Sequence, residues 1–205
     1  MEPDLILTEA GAGPPEAVEL LRAADIPFVE VPDGFTAEAI EAKILAVSEA
    51  LEVPEKGAEL AAEVSEDLAA AMAGQEDSGK RVLFILSMQG GRVMAGGRNT
   101  AAEGIIRLAG AENAVADFEG YKPLTDEAVT RAAPDVILMM DREGDHAAAD
   151  TDLLAHPAIS TTPAAATGAV IRLDGMLLLG FSVRTPEAVR RLSEALAENG
   201  EPGGG

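Results

Sequence analysis

A glycine-rich stretch, Met88–Arg98 (MQGGRVMAGGR), carries the residues best suited to hold a ligand. It lies between an apolar strand predicted over Arg81–Ser87 and the start of a predicted helix, which is where α/β proteins bind ligands. Its glycines let the backbone approach a bound molecule, and Arg92 and Arg98 supply positive charge. The spacing matches neither GxxxxGK[ST] nor GxGxxG, so a nucleotide site is disfavoured. A ligand-binding loop and a plain β-hairpin turn with flexible glycines are the two interpretations.

Four other side chains are candidates for ligand contact. Arg184, in GFSVRTP before the last predicted helix, can hold a carboxylate with two N–H groups or pair with a neighbouring acid. Tyr121, the only tyrosine, either lines a cleft or packs a loop onto the core. Met88 and Met94 flank the glycines, where thioether side chains suit an aromatic ligand or fill gaps in a core. Each residue thus has a structural interpretation beside the functional one.

The chain lacks the residue patterns of common catalytic centres. It contains no Cys, which excludes thiolate metal sites and Cys nucleophiles, and it has no GxSxG or HExxH motif. Asp141 and Asp145 lie near a predicted strand end without a catalytic partner. His146 and His156 are separated by polar sequence, which favours two surface histidines over a metal pair. We therefore expect a binding protein rather than an enzyme.

The charge and hydropathy of the chain exclude further classes of function. With 36 acidic and 15 basic residues among 205, the formal net charge is −21. Such a chain repels phosphate backbones and anionic lipid, so nucleic-acid binding is disfavoured. No apolar run approaches the roughly 18 residues that a membrane-spanning helix needs, and the N-terminus has no signal-peptide pattern. The chain is expected not to span a membrane, and a cytoplasmic location stays open.

Strands that alternate with helices predict an α/β fold with mostly parallel sheets flanked by helices. Strands at Asp4–Thr8 and Ile26–Val31 enclose a helix at Glu16–Ala24, and this unit implies a parallel strand pair. A single strand–helix–strand unit cannot cover its own sheet, so the N-terminal piece is expected to be incomplete.

Three segments of unequal content follow from these patterns. Residues 1–54 form the incomplete first piece, residues 55–79 a long helix (Glu55–Ala73) and linker, and residues 80–205 a fuller α/β domain. In the last segment we predict helices at Ala101–Leu108 (with the capping box Thr100-x-x-Glu103), Asp126–Ala133 and Asp150–Ala155, strands at Asp135–Met140 and Val170–Leu173, a long connection over Ala111–Thr125, an apolar loop or short strand over Met176–Phe181, and a final helix capped by Thr185.

The run SMQGGRVMAGGRNTAAEGIIRLAGAENAVADFEGYKPLTDEAV (Ser87–Val129) resembles the haem-binding substrate-binding proteins of bacterial haem ABC transporters. Three more segments extend the resemblance over nearly the whole chain: PDLILTEAGAGPPEAVELLRAADIP (Pro3–Pro27), PDVILMMDR (Pro134–Arg142) and DGMLLLGFSVRTPEAV (Asp174–Val189). The resemblance implies two α/β lobes joined by one long helix. It also implies that most of the N-terminal lobe, with the family's axial tyrosine for haem iron, is missing here, so no iron ligand is assigned.

The resemblance also implies a ligand and a partner. Haem would be the transported ligand, an ABC permease the partner, and the location periplasmic or otherwise extracytoplasmic. Arg184 best matches a propionate-binding arginine, and the glycine-rich stretch would lie against the porphyrin. The implied ligand-binding set is Met88, Gln89, Arg92, Met94, Arg98, Tyr121 and Arg184.

Two features leave alternatives open. Glu127 matches a glutamate that docks an arginine pocket of the permease in related vitamin- and siderophore-binding proteins, but an acid in the first turn of a helix is also favoured by the helix dipole. The incomplete first lobe would expose a sheet edge and apolar surface, which favour a homodimer. The alternative function is therefore a truncated, dimerising interaction or regulatory protein that no longer binds haem tightly.

Overall fold

The computed structural model describes residues 3–73, 78–141 and 150–199. The contacts divide the chain into two compact units, Met1–Asp67 and Leu68–Gly205. Within the described residues, no helix is both long enough and apolar enough to cross a membrane.

The first unit begins with the predicted strand–helix–strand motif. Strands β1 (Ile6–Glu9) and β2 (Phe28–Val31) pair in parallel, with Ile6 opposite Phe28, and helix α1 (Pro15–Arg22) connects them. Pro15 suits the first helical turn because its missing N–H has no acceptor to lose there. The prediction of a parallel pair is confirmed.

Two consecutive helices follow the strand pair. Helix α2 (Ala37–Ala50) begins where Thr36 accepts a hydrogen bond from the Ala39 N–H, and α3 (Pro54–Ala73) is a single helix of 20 residues. Gly57 lies at their junction, where an added Cβ would be 1.8 Å from Oγ and 2.2 Å from Cβ of Ser48. The two helices therefore meet at a position where only glycine fits.

A six-stranded sheet organises the second unit. Its strands are β3 (Arg81–Gln89), β4 (Arg92–Gly96), β5 (Glu112–Asn113), β6 (Tyr121–Leu124), β7 (Val136–Asp141) and β8 (Val170–Asp174). Their order is β6-β4-β3-β7-β8, with β5 beside the start of β3. Because β4 alone pairs antiparallel with its neighbours, the other strands all begin at one edge of the sheet, the amino edge, and end at the other, the carboxyl edge. The predicted α/β fold with a mostly parallel sheet is confirmed.

Helices cover both faces of this sheet. One face, called here the α5 face, packs against α5 (Asp126–Ala132), α6 (Asp150–Leu154) and α7 (Pro163–Thr167) through a core that includes Leu83 and Ile85. The opposite face, the α4 face, lies under α4 (Ala101–Leu108), α8 (Gly175–Leu179) and α9 (Thr185–Glu198), which contact one another. Side chains of a strand alternate between faces, so fully buried Phe84 belongs to the α4 face.

The predicted helix caps at Thr100 and Thr125 are confirmed. Thr100 Oγ1 accepts a hydrogen bond from the Glu103 N–H at 3.1 Å, as the predicted capping box requires. The Glu103 side chain accepts in return from the N–H of Asn99 at 2.9 Å, which is the residue before the N-cap. Thr125 caps α5 in the same way by accepting from the Ala128 N–H.

Four predictions of local structure are wrong. The stretch Met88–Arg98 is the end of β3, a Gly90-Gly91 turn and strand β4, and not a loop. The connection Ala111–Thr125 contains β5 and β6. Met176–Phe181 lies mostly in α8, because Asp174 Oδ1 accepts a hydrogen bond from the Leu177 N–H and starts a helix.

The fourth wrong prediction concerns the start of the last helix. Arg184 is the residue before α9, and Thr185 is already helical, its hydroxyl donating to the Ser182 carbonyl. Helix α7 was not predicted from the sequence. Its N-cap is Thr162, whose side chain accepts a hydrogen bond from the Ala165 N–H. Asp145, His146 and most of the predicted linker Gly74–Gly79 lie outside the described residues.

We predict that Gly57→Ala destabilises the first unit. Overpacking against Ser48 costs about 1–3 kcal/mol and outweighs the roughly 1 kcal/mol that alanine gains in helix propensity. The double variant Ser48→Gly/Gly57→Ala removes the obstructing atoms, leaving Ser48 Cα at 3.7 Å, and should recover stability relative to Gly57→Ala alone. Urea unfolding measures both changes, and a Gly57→Ala chain as stable as wild type would contradict the prediction.

Candidate functional site

The β3–β4 hairpin carries most of the residues predicted to contact a ligand. Gly90 and Gly91 have φ angles of 61° and 73°, the left-handed conformation that both central residues of a type I′ turn require. Gln89 and Arg92 pair across this turn, and the hairpin ends at the carboxyl edge of the sheet. The stretch therefore forms a β-hairpin, and its role in ligand binding stays a prediction.

A β-bulge in β3 decides which face each hairpin residue occupies. Ile85 pairs with Ala95, whereas the next pair joins Ser87 to Met94, so β3 carries one extra residue between them. An inserted residue reverses the alternation of side chains beyond it. Met88, paired with Val93, therefore packs against the core of the α5 face.

Met94 lies on the other face of the hairpin. It pairs with Ser87 on one side and Pro123 on the other, and by alternation it shares the α4 face with Arg92. The structure thus separates the two methionines that the sequence placed together. Of these two, only Met94 is on the same face as Arg92.

The second glycine pair serves packing between strands. An added Cβ at Gly96 would come within 3.2 Å of Tyr121 Cε1, and one at Gly97 would be 2.5 Å from both the ring and the carbonyl oxygen of Phe118. Arg98 follows directly and lies 3.8 Å from Glu119. Since six residues of extended chain span about 20 Å, Arg98 is remote from Arg92 at the turn.

Tyr121 lies in strand β6, opposite Gly96. Its ring contacts Phe84 edge to face, with centroids 6.3 Å apart, and 38% of the residue is exposed. Burial raises the pKa of the phenol, while hydrogen bonds with the Ala102 backbone and the Thr100 hydroxyl oppose this shift. The phenol is therefore neutral at pH 7, and the side chain packs onto the core while keeping one accessible edge.

Arg184 is presented by a constrained turn between α8 and α9. Phe181, which is buried, has a φ of 39°, a conformation that costs energy for a residue with a Cβ. Ser182 Oγ accepts a hydrogen bond from the Arg184 N–H at 3.3 Å. The guanidinium is half-exposed, and its Nε lies 3.5 Å from Glu187 Oε2. The turn thus fixes the backbone of Arg184 and leaves its side chain accessible.

Arg184, Arg92 and Met94 lie on the same face and the same edge of the sheet. Lys80, just before β3, donates to the carbonyl of Leu196 in the last turn of α9, which places that end of the helix at the amino edge. Helix α9 packs along β8, so its beginning, next to Arg184, lies at the carboxyl edge. Strands β4 and β8 are three spacings apart, roughly 14 Å.

Glu127 lies at the carboxyl edge but on the α5 face. It is in the first turn of α5, which starts where β6 ends, and it is fully exposed. Its own backbone N–H and the Thr125 hydroxyl lower the pKa of its carboxyl group, with a smaller contribution from Arg131. The carboxylate is therefore charged throughout the neutral and mildly acidic range.

His156, which the sequence predicts to be a surface histidine, contacts the hairpin. Its Nε2 lies 3.1 Å from the Gly91 carbonyl oxygen. Among the described residues, no group of three or more His, Cys, Asp or Glu side chains is arranged to hold a metal ion. No spacing signal links His156 to Gly91, because 65 residues separate them.

An open groove of about 500 Å³ lies elsewhere, beside β5 and α5. Its lining includes Arg81, Phe118 and Arg131. None of the residues predicted to bind the ligand lines it. Since the groove is open and lined by both basic and acidic side chains, the carboxyl edge remains the better candidate site.

We predict that Tyr121 titrates above its ordinary pKa of 10.0, because burial disfavours the phenolate. The chain has one Tyr and no Trp, so ultraviolet absorbance at 295 nm reports this residue alone. The midpoint should be higher in the folded chain than in the chain unfolded in urea, with circular dichroism confirming the fold at each pH. Tyr121→Phe is the control and should give no transition, and equal midpoints in the two states would contradict the prediction.

Comparisons with known proteins agree with this architecture. The profile of the family described as "Periplasmic binding protein" matches residues 1–177. The periplasmic haem-binding protein BhuT, solved in complex with two haems, is 38% identical, with a TM-score of 0.91 over 97% of this chain and 76% of its own. The periplasmic haem-binding protein RhuT from Roseiflexus sp. RS-1, in apo form, is 34% identical, with a TM-score of 0.87 over 97% and 77%.

A more distant structure shares the fold. The periplasmic haem-binding protein HutB of Vibrio cholerae is 24% identical, with a TM-score of 0.82 over 95% of this chain and 77% of its own. Among curated protein sequences, none matches this chain. The family profile covers most of the chain, and two solved relatives exceed 30% identity over nearly all of it. The chain therefore belongs to the periplasmic binding protein family.

Proposed function

We propose that this chain binds haem as the substrate-binding component of an ABC importer and delivers it to the permease without reacting with it. The observation that carries the proposal is the similarity, at 38% and 34% identity, to BhuT and RhuT, both haem-binding periplasmic proteins. The absence of a recognisable catalytic constellation in the sequence supports binding rather than catalysis. An extracytoplasmic location follows from the same family membership.

The carboxyl edge of the second unit offers the chemistry that such a ligand needs. Haem is a flat apolar macrocycle with two carboxylates, so its affinity comes from buried apolar area, at about 25 cal/mol per Å², and from cations that pair with the propionates. Arg184 and Arg92 supply cations on one face, and Met94 supplies a polarisable apolar contact on the same face. These three residues are our primary ligand-binding set.

The other four residues predicted to contact the ligand have smaller roles in the proposal. Tyr121 lies on the same face but nearer the amino edge, and Gln89 closes the hairpin beside Arg92. Met88 supports the hairpin from the α5 face, and Arg98 is held near Glu119. We propose that these four affect binding less than Arg184 does.

The division of the chain into segments is also part of the proposal. Residues 1–54 would belong to the family's first lobe, residues 55–79 to the helix between lobes, and residues 80–205 to the second lobe. Support comes from α3, a single 20-residue helix that begins in the first unit and ends in the second.

Haem titration followed by the Soret band tests the proposed ligand. Wild-type chain should shift the band at micromolar haem, and Arg184→Gln should weaken binding at least tenfold, since a hydrogen bond to a charged group contributes about 1.5–3 kcal/mol. Arg191→Gln is a matched control, because Arg191 has the same 56% side-chain exposure and the same partner, Glu187. It should bind haem as wild type does.

The outcomes separate the two candidate functions. No Soret shift with wild-type chain overturns haem binding, and a stable dimer by light scattering in that case would support the alternative interaction protein. Equal loss of affinity in both arginine variants would show a general charge effect and would remove Arg184 from the site.

We further propose that Glu127 docks an arginine of the permease. Glu127→Gln should slow haem transfer to a haem ABC permease in lipid nanodiscs, whereas Asp126→Asn, in the same helical turn, should not. The lowered pKa keeps the Glu127 carboxylate charged, so docking should be constant from pH 8 to about 5.5 and should weaken only at lower pH. Equal transfer by Glu127→Gln and wild type would contradict the assignment.

A further inference from the structure

The tip of the β3–β4 hairpin extends beyond its neighbouring strands. Pairing of β3 with β7 ends at Ile85, and pairing of β4 with β6 ends at Val93. The residues beyond these pairs include Arg92, and they meet at a turn of two glycines, which is the most flexible sequence available for a hairpin. A hydrogen bond from a residue outside the hairpin to its tip therefore contributes more to holding the tip in place than the same bond would to a strand that is paired on both sides.

His156 makes such a bond from a firmly held segment. Its carbonyl oxygen accepts from the Ile159 N–H at 2.9 Å and from the Ser160 N–H at 2.8 Å, and Ile159 and Ala158 are buried. Its Nδ1 accepts a hydrogen bond from the Ala158 N–H at 3.2 Å. An accepting Nδ1 carries no proton, so the ring proton is on Nε2, which donates to the Gly91 carbonyl.

We infer that His156 is a positioning residue that fixes the hairpin tip and thereby sets the affinity of the Arg92–Met94 face for its ligand. The effect on ligand affinity rests on the proposed function, whereas the attachment of the hairpin by His156 does not. One nitrogen of the ring orients the side chain on its own turn, and the other holds the hairpin. Met88, packed on the same α5 face, adds an apolar contact to this attachment.

Two substitutions separate the two nitrogens. His156→Gln places an amide N–H near the position of Nε2 and retains a donor for Gly91. His156→Asn places an amide oxygen near the position of Nδ1, retains an acceptor for Ala158 and does not reach Gly91. Amide hydrogen exchange of the hairpin, haem affinity from the Soret band, and urea unfolding are measured for both variants and wild type.

We expect His156→Asn to exchange hairpin amides about fivefold faster and to bind haem about fivefold more weakly, which corresponds to one hydrogen bond of about 1 kcal/mol. His156→Gln should remain within about twofold of wild type in both measurements. Rescue by Gln but not by Asn, with equal stability of the two variants in urea, is a result that a general packing role would not give, because lost packing would also destabilise the shorter Asn variant.

Three results overturn parts of the inference. Identical hairpin exchange in the two variants overturns the attachment through Nε2. Different exchange with identical haem affinity overturns the link to the ligand. If wild-type chain gives no Soret shift, the proposed function and the ligand half fall together, while the exchange measurement still decides the attachment.

Discussion

Burial of the central strands on both faces is the constraint on which the second unit depends. Val82, Leu83, Phe84 and Ile85 are all fully buried, as are Val136, Ile137 and Leu138 in the adjacent strand. A strand buried on both faces has no side chain free for a ligand. Binding chemistry is consequently restricted to the edges of the sheet, where the strands end and the connections to helices begin.

At the carboxyl edge, side chains become accessible to a ligand in two different ways. At one side, β3 continues beyond its pairing with β7 and turns back as a hairpin, so that strand residues leave the covered region. At the other side, the turn after α8 uses a strained Phe181 to begin α9 beside Arg184. In each case a hydrogen bond holds the backbone, from His156 at the hairpin tip and to Ser182 at the turn before α9, and this lowers the ordering cost of binding.

The net negative charge of the whole chain opposes the positive charge of the arginines at the candidate site. The proposed ligand carries carboxylates and would approach a protein of net charge −21, so attraction would have to come from nearby arginines rather than from the overall field. Salt shortens the range of the overall repulsion to about 8–10 Å, whereas contact pairs are screened much less. Arg92 and Arg184 on one face are suited to this local role, and the acidic carboxylate of Glu127 lies on the opposite face, available for a different partner.

Much of the fold was predictable because its signals are local. The β1–α1–β2 motif, the strand at Arg81, and the caps at Thr100 and Thr125 depend on residues within a few positions of one another. The family resemblance likewise rests on contiguous runs of sequence. Strand β6 and helix α8 were missed because they are short, and Pro123 in β6 argues against a strand unless it lies at a sheet edge.

The sequence by itself therefore determined the fold class, the order of most helices and strands, and the residue types available for an anionic, apolar ligand. Tertiary structure decided how those residues are distributed. One inserted residue in β3 sends Met88 and Met94 to opposite faces, since side chains alternate with a period of two and any insertion reverses them. Only folding brings His156 to Gly91, because a contact across 65 residues depends on how the helices pack and leaves no periodic trace in the sequence.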